Sequence, residues 1–203
     1  MTEECALRCG AKKADRSCES DGQNFATGAA ILDSVPLIFI CGGSRSGKST
    51  KAMDMALVRA QRPAFIATAE PLDEEMRERI AHHKEERGER FETLEVPVDV
   101  AGTLRELASR HEVVVVDCLT LWLSNVMLRE GADVAGESAN LIEALCAFPG
   151  MVIAVSNEVG CGIVPENALA RQFRDESGRL NAGIAKAADE VYWMVFGCAL
   201  RVK

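Results

Sequence analysis

The sequence predicts an α/β fold built on a mostly parallel sheet, and three observations carry the prediction. Short, continuously apolar runs such as Leu37-Ile38-Phe39-Ile40 and Val113-Val114-Val115-Val116 recur along the chain. Strands that are apolar on both faces belong to sheets covered on both sides. Between them lie helical periods, so strands and helices alternate as in crossover units. The third observation is Gly42-Gly43-Ser44-Arg45-Ser46-Gly47-Lys48-Ser49, placed just after the first strand. It is Gly-x-x-x-x-Gly-Lys-Ser, the phosphate-binding P-loop pattern. The expected architecture is a three-layer P-loop NTPase-like fold with a C-terminal antiparallel hairpin.

Each element has its own signal. Residues 49–62 place Ala52, Met53, Ala56, Leu57 and Ala60 at helical spacing, after a loop that must be glycine-rich. Ala64-Phe65-Ile66-Ala67 is a second strand. A charged helix is expected over 72–86, a brief extended piece at Val96-Pro97, and a helix over 103–109. The valine run ends at Asp117. Helices follow over 119–129 and 137–147, then a strand over 151–155. A long helical region over 165–188 is expected to break or bend near Gly178, and two strands, 191–196 and 200–202, close the chain around Gly197.

Composition narrows the function classes. A chain of 203 residues suits one domain, and 48% hydrophobic residues provide a sizeable core. The net charge of -8 argues against a nucleic-acid or membrane surface. No run has the length of a membrane span, and the first residues lack the apolar core of a signal peptide. Residues 1–34 are polar and without period, and are expected to form a disordered extension before a single catalytic domain at 35–203. Of the eight cysteines, Cys41, Cys118, Cys146 and Cys198 sit in or beside apolar runs. They read as reduced, buried thiols of a cytoplasmic protein. Cys5, Cys9 and Cys18 lie in the polar extension as free thiols, the alternative being part of a zinc site without an evident fourth ligand.

The chemistry expected of these residues follows from their places. P-loop amides and the helix N-terminus form an anion nest, Lys48 reaches the terminal phosphates, and the Ser49 hydroxyl is a magnesium ligand. The plainer alternative is a glycine-rich turn. Ligands of parallel sheets bind beyond the carboxyl ends of the strands, which singles out the P-loop, Thr68, Asp117 and Asn157-Glu158. Asp117 is placed to hold magnesium, the alternative being a helix cap. Counting about 100° per residue along 72–86 puts Leu72, Met76 and Ile80 in one stripe. His83 falls within its arc, with Arg79 at its rim and Arg87 one turn on, while His82 points nearly the opposite way. From spacing alone the ordinary reading of His83, a partly buried histidine in a charged surface helix, comes first. The other is an imidazole nucleophile between phosphate-binding arginines. His111 reads as loop surface. Arg171, Arg174, Asp175 and Arg179 fit a solvated face and a phosphate-binding face equally.

Taken together, these blocks resemble a known family. They are the P-loop, Phe65-Ile66-Ala67-Thr68-Ala69, Arg79-Ile80 with His82-His83, Asp117-Cys118-Leu119-Thr120-Leu121-Trp122-Leu123-Ser124-Asn125, Ser156-Asn157-Glu158-Val159-Gly160 with Gly162-Ile163-Val164-Pro165, and Ala188-Asp189-Glu190-Val191. The chain resembles the bifunctional adenosylcobinamide kinases and adenosylcobinamide-phosphate guanylyltransferases of cobalamin biosynthesis. The resemblance implies phosphorylation of adenosylcobinamide by ATP or GTP. It further implies transfer of GMP from GTP to the product through a guanylylated histidine, giving adenosyl-GDP-cobinamide and diphosphate. That histidine falls on His83. Nucleotide contacts carry over to Gly42 through Ser49, to Ile66, Ala67 and Thr68, to Lys84, Glu85, Glu86 and Arg87, and to Glu95 and Asp117. The family is similar also in being trimeric, with sites near subunit boundaries and a corrinoid substrate. Gly88 and Phe91 stand where the family often has proline and tryptophan, which suggests a looser end to the histidine helix. Two readings compete with this one: a P-loop kinase of another small molecule, and a nucleotide-dependent switch or assembly ATPase.

Overall fold

The structure, a computed structural model, describes residues 36–203. The extension and its three cysteines therefore lie outside the described residues. The elements are β1 (Leu37–Gly42), α1 (Lys48–Arg59), β2 (Ala64–Ala67), α2 (Glu74–Arg87), β3 (Glu92–Glu95), α3 (Val100–Leu107), β4 (Val113–Asp117), α4 (Leu119–Met127), α5 (Val134–Ala147), β5 (Met151–Asn157), α6 (Ala168–Ala187), β6 (Glu190–Val195) and β7 (Cys198–Arg201). The strands form one sheet in the order β3-β2-β4-β5-β1-β6-β7. Every pairing is parallel except β6 with β7.

Alternation along the strands divides the core in two. Ile38, Ile40, Phe65, Val113, Val115, Ile153 and Val155 face Ala52, Met53 and Ala56 of α1. Phe39, Ile66, Val114, Val116, Val152 and Ala154 face the larger layer, where Leu104, Trp122, Leu123, Leu141, Leu145, Leu180 and Ile184 come from α3 to α6. The expected three layers are present, with one thin helical layer and one thick. The thin layer leaves room for a cleft beside α1. There α2 stands over the sheet on Met76, Ile80 and His83, half-buried, and on Arg87, its one buried residue.

Several expectations change. The strand at the sheet edge is Glu92–Glu95 rather than Val96-Pro97. Its Glu-Thr-Leu-Glu sequence carries no apolar run, because one face of an edge strand meets solvent. Leu72 precedes α2 and is exposed, so it is not part of the inward stripe. α6 runs unbroken through Gly178 over 20 residues. The end of α2 is anchored: after a short turn, Gly88–Arg90, the ring of Phe91 is buried edge-on against Phe65 at 5.8 Å. Cys41 and Cys118 are buried as expected, but Cys146 is only half-buried and Cys198 is exposed, since it sits on the outer strand of the terminal hairpin. His111 is not loop surface; its side chain is 10% exposed and its Nε2 lies 3.3 Å from Glu92.

Candidate active site

The phosphate loop joins β1 to α1, and two glycines make it possible. Gly42 has φ 155°, and a Cβ there would stand 2.5 Å from the Met194 carbonyl oxygen on β6. Gly47 has φ 87° and opens α1 from a left-handed conformation, which glycine adopts without strain. The Lys48 Nζ folds back inside the loop, donating to the Gly43 carbonyl at 2.5 Å and lying 3.4 Å from Ser46 Oγ. Burial pulls Lys48 below its ordinary pKa, and the charge of Asp117 opposes the shift.

Asp117 closes β4 across the cleft. Burial pushes its carboxyl up, opposed by a hydrogen bond from the Ser49 hydroxyl and then by the charges of His83, Lys48 and Arg87. One carboxylate thus feels the charge of Lys48 on α1 and those of His83 and Arg87 on α2. Behind it the Thr68 hydroxyl is fixed on the backbone of Cys118, donating to the carbonyl at 2.7 Å and accepting from the N–H at 2.9 Å.

α2 supplies the opposite wall. Asp73 caps it, accepting from Met76 N at 2.7 Å, which turns the i, i+4, i+7, i+11 set of Met76, Ile80, His83 and Arg87 toward the sheet. His83 Nδ1 is 2.8 Å from Glu86 Oε2. Arg87 lies over the Phe65 ring, its guanidinium carbon 4.4 Å from the centroid, and its buried Nε has no hydrogen-bond partner. Burial lowers the Arg87 pKa, while Asp117, Glu95 and Glu86 hold the charge in place. Lys84 pairs with Glu95 at the end of β3.

These walls enclose a cleft of about 620 Å³. Arg45, Ser46, Gly47, Lys48 and Ser49 line it, with Ala67, Arg79, His83, Lys84, Glu86, Arg87, Glu95, Asp117 and Asn157. Of the residues expected at the site, Ile66 and Thr68 are fully buried away from it. Gly42, Gly43, Ser44 and Glu85 are also not among the lining residues. Arg171, Arg174 and Arg179 bond locally, to Pro165 and Glu166, Asp175 and Glu176. His82 departs from expectation. Its side chain is 69% exposed against 38% for His83, yet it lines the same cleft and reaches the same carboxylate, 3.4 Å from Glu86 Oε1. Glu86 sits three and four residues on, where both imidazoles can turn to it. Phe65 and Leu121, which also line the cleft, were hidden in apolar runs that signal only core.

The sequence model of a family described as cobinamide kinase / cobinamide phosphate guanyltransferase matches residues 38–202. The chain belongs to this family. Its similarity to individual members is extensive. It is 42% identical over 165 residues to the bifunctional adenosylcobalamin biosynthesis protein CobP of Pseudomonas aeruginosa, covering 81% of this chain and 95% of that protein. It is 36% identical over 181 residues to the bifunctional adenosylcobalamin biosynthesis protein CobU of Escherichia coli, covering 82% and 99%. The CobU protein of Salmonella typhimurium is 35% identical over the same length and coverage. The matched family region spans the whole sheet and every wall of the cleft, from β1 to the terminal hairpin.

Proposed function

We propose that this protein phosphorylates adenosylcobinamide with ATP or GTP and then transfers GMP from GTP to adenosylcobinamide phosphate. The products are adenosyl-GDP-cobinamide and diphosphate, made within cobalamin biosynthesis. The observation that carries the proposal is His83 facing the same cleft as the phosphate loop and Asp117. A switch or assembly ATPase has no use for a nucleophile there.

In the kinase step the substrate hydroxyl oxygen attacks the γ-phosphorus and gives up its proton to solvent, the bond to the bridging oxygen breaks, and the nucleoside diphosphate leaves. Lys48 and the loop amides offset charge on the oxygens in flight. In the transferase step His83 Nε2 attacks the α-phosphorus of GTP. Nδ1 holds its proton toward Glu86, which leaves the Nε2 lone pair free. Diphosphate leaves, and GMP stays on the ring as a phosphoramidate. A phosphate oxygen of adenosylcobinamide phosphate then attacks the same phosphorus, and the nitrogen recovers its lone pair. Arg87, buried with an unpartnered Nε, and Arg79 at the rim face the oxygens of the transferred group. The remaining expected contacts act through the backbone of the loop, through Lys84 and Glu95, and through Thr68 behind Asp117.

Ser49 and Asp117 present two adjacent hard oxygen donors, which suits Mg2+. The ion would neutralise charge between the β- and γ-phosphates. We place catalysis in residues 35–203, with residues 1–34 as a dispensable extension, and take the enzyme to be a cytoplasmic homotrimer. Among the described residues no helix is long and apolar enough to cross a membrane. Exposed Trp193, Leu200 and Val202 along the outer hairpin support assembly.

The test is purified protein with magnesium, GTP and adenosylcobinamide, with products resolved by mass. The expected result is a corrinoid gaining one phosphate and then GMP. An unchanged corrinoid, or hydrolysis that depends on an added protein, would overturn the proposal.

A further inference from the structure

The turn between β6 and β7 is built against its own residue preferences. It consists of Phe196 and Gly197, with φ 51° and 81°, between the paired residues Val195 and Cys198. A two-residue hairpin with both central φ values positive favours asparagine or glycine first. A bulky aromatic in that left-handed position is strained. Burial of the ring does not repay the strain, because Phe196 is 98% exposed. Strain of this kind, unsupported by packing, points to function.

Its neighbours say which function. A Cβ built on Gly47 of the phosphate loop would stand 3.8 Å from Gly197 Cα and 3.7 Å from Met194 Cε. The turn therefore abuts the crest of the loop. In the sheet, β1 has β5 and then β4 on one side and β6 with β7 on the other. Asp117, Lys48 and the cleft take the reacting end of a triphosphate. A nucleotide laid along the loop with its γ-phosphate toward Asp117 sends its nucleoside end the opposite way, toward β6 and β7. The turn on that side, which abuts the loop, carries the exposed ring of Phe196.

We propose that Phe196 is a stacking platform for the base of the nucleotide that donates its γ-phosphate, an affinity element set outside the histidine cleft. This rests on the kinase reading above. Stacking accepts any purine, since every base offers a π-face, so the platform admits ATP and GTP alike.

The experiment measures binding of ATP, and separately of inorganic tripolyphosphate, by calorimetry in magnesium buffer on the full chain. The variants are Phe196→Asn and Phe196→Trp. Asparagine suits the left-handed position, so Phe196→Asn is expected to melt at the same or a higher temperature. It should also weaken ATP about ten-fold, with tripolyphosphate unchanged. Phe196→Trp should keep ATP affinity and report binding by a change in its fluorescence. Three results would overturn the proposal. One is equal ATP affinity in Phe196→Asn and wild type. Another is a parallel loss for ATP and tripolyphosphate, which would make the turn a support for the loop. The third is a fall in oligomer mass with ATP affinity intact, which would assign the ring to a subunit contact. No corrinoid enters these titrations. A protein that binds ATP through Phe196 and leaves adenosylcobinamide untouched would sink the proposed function and not this platform.

Discussion

The Thr68 hydroxyl holds both sides of the Cys118 backbone, donating to the carbonyl at 2.7 Å and accepting from the N–H at 2.9 Å. The grip is reinforced from two directions. Thr68 N donates to the Asp117 carbonyl at 3.2 Å, and Asn125 Nδ2 donates to the Thr68 carbonyl at 2.8 Å. The end of β2 is thereby tied to the residue that follows Asp117, so the carboxylate is carried on a backbone fixed from behind. Thr68→Val keeps the shape but leaves the buried Cys118 N–H without its acceptor, while the Cys118 carbonyl keeps only the Trp122 N–H at 3.1 Å. The expected loss is about 1–3 kcal/mol in chemical denaturation, with a fall in kcat because Asp117 loses its support. Thr68→Ser should retain most of both. Stability within about 0.5 kcal/mol of wild type in Thr68→Val would show that the two bonds are not needed.

Lys48→Ala should leave folding nearly unchanged, since the side chain bonds only within its own loop. Both reactions should slow by about 10²-fold or more, the scale of removing a donor from developing phosphate charge. Steady-state kinetics of each step checks it, and undiminished rates would remove the loop from the mechanism.

His83→Ala should abolish covalent labelling by GTP carrying label at the α-phosphate, together with the transferase reaction, and spare much of the kinase reaction. The adduct should survive base and be lost in acid, as a phosphoramidate is. His82→Ala is the harder control here, because His82 shares Glu86 and the cleft. Retained labelling in His82→Ala with none in His83→Ala is the expected outcome. Full labelling in His83→Ala would move the nucleophile elsewhere. Glu86→Gln should slow labelling, because the carboxylate 2.8 Å from Nδ1 no longer orients the ring.

Cys41 and Cys118 should resist alkylation. Burial pushes Cys41 from an ordinary 9.0 up to about 11, with Glu158 adding to the shift, and burial pushes Cys118 up to about 12, with Asp117 adding. At pH 8 roughly one Cys41 in a thousand is thiolate, and the thiolate is the reactive form. A short iodoacetamide pulse at pH 8 should modify exposed Cys161 and Cys198 and spare these two, as read by peptide mass mapping. Because the folded pKa values are raised, the stability they contribute is present below pH 9 and lost as pH rises through 11 to 12. Denaturation midpoints should fall over that alkaline window. Rapid modification of Cys41 in the folded protein at pH 8 would contradict its burial.

The parallel sheet and the glycine loop were legible in local sequence. Strands buried on both faces cannot avoid being apolar throughout, so Leu37–Ile40 and Val113–Val116 announced themselves. The phosphate loop needs glycine at position 42, where an added Cβ would stand 2.5 Å from the Met194 carbonyl oxygen, and that need is written in local sequence. Helical period likewise turned His83 and Arg87 inward from spacing alone. What tertiary structure decided was everything set by neighbours distant along the chain. Glu92–Glu95 is a strand only because Ala64–Ala67 offers it an edge to pair with. Thr68 looked like a ligand at a strand end, and the turn after Asp117, 50 residues on, claimed its hydroxyl instead. Helical angle sent His82 away, but a single carboxylate between the two rings brought it back to the cleft. Phe196 is apolar in sequence and would pass for core. Only the hairpin's position against Gly47 leaves its ring in solvent beside the phosphate loop, because a two-residue turn has no interior in which to hide it.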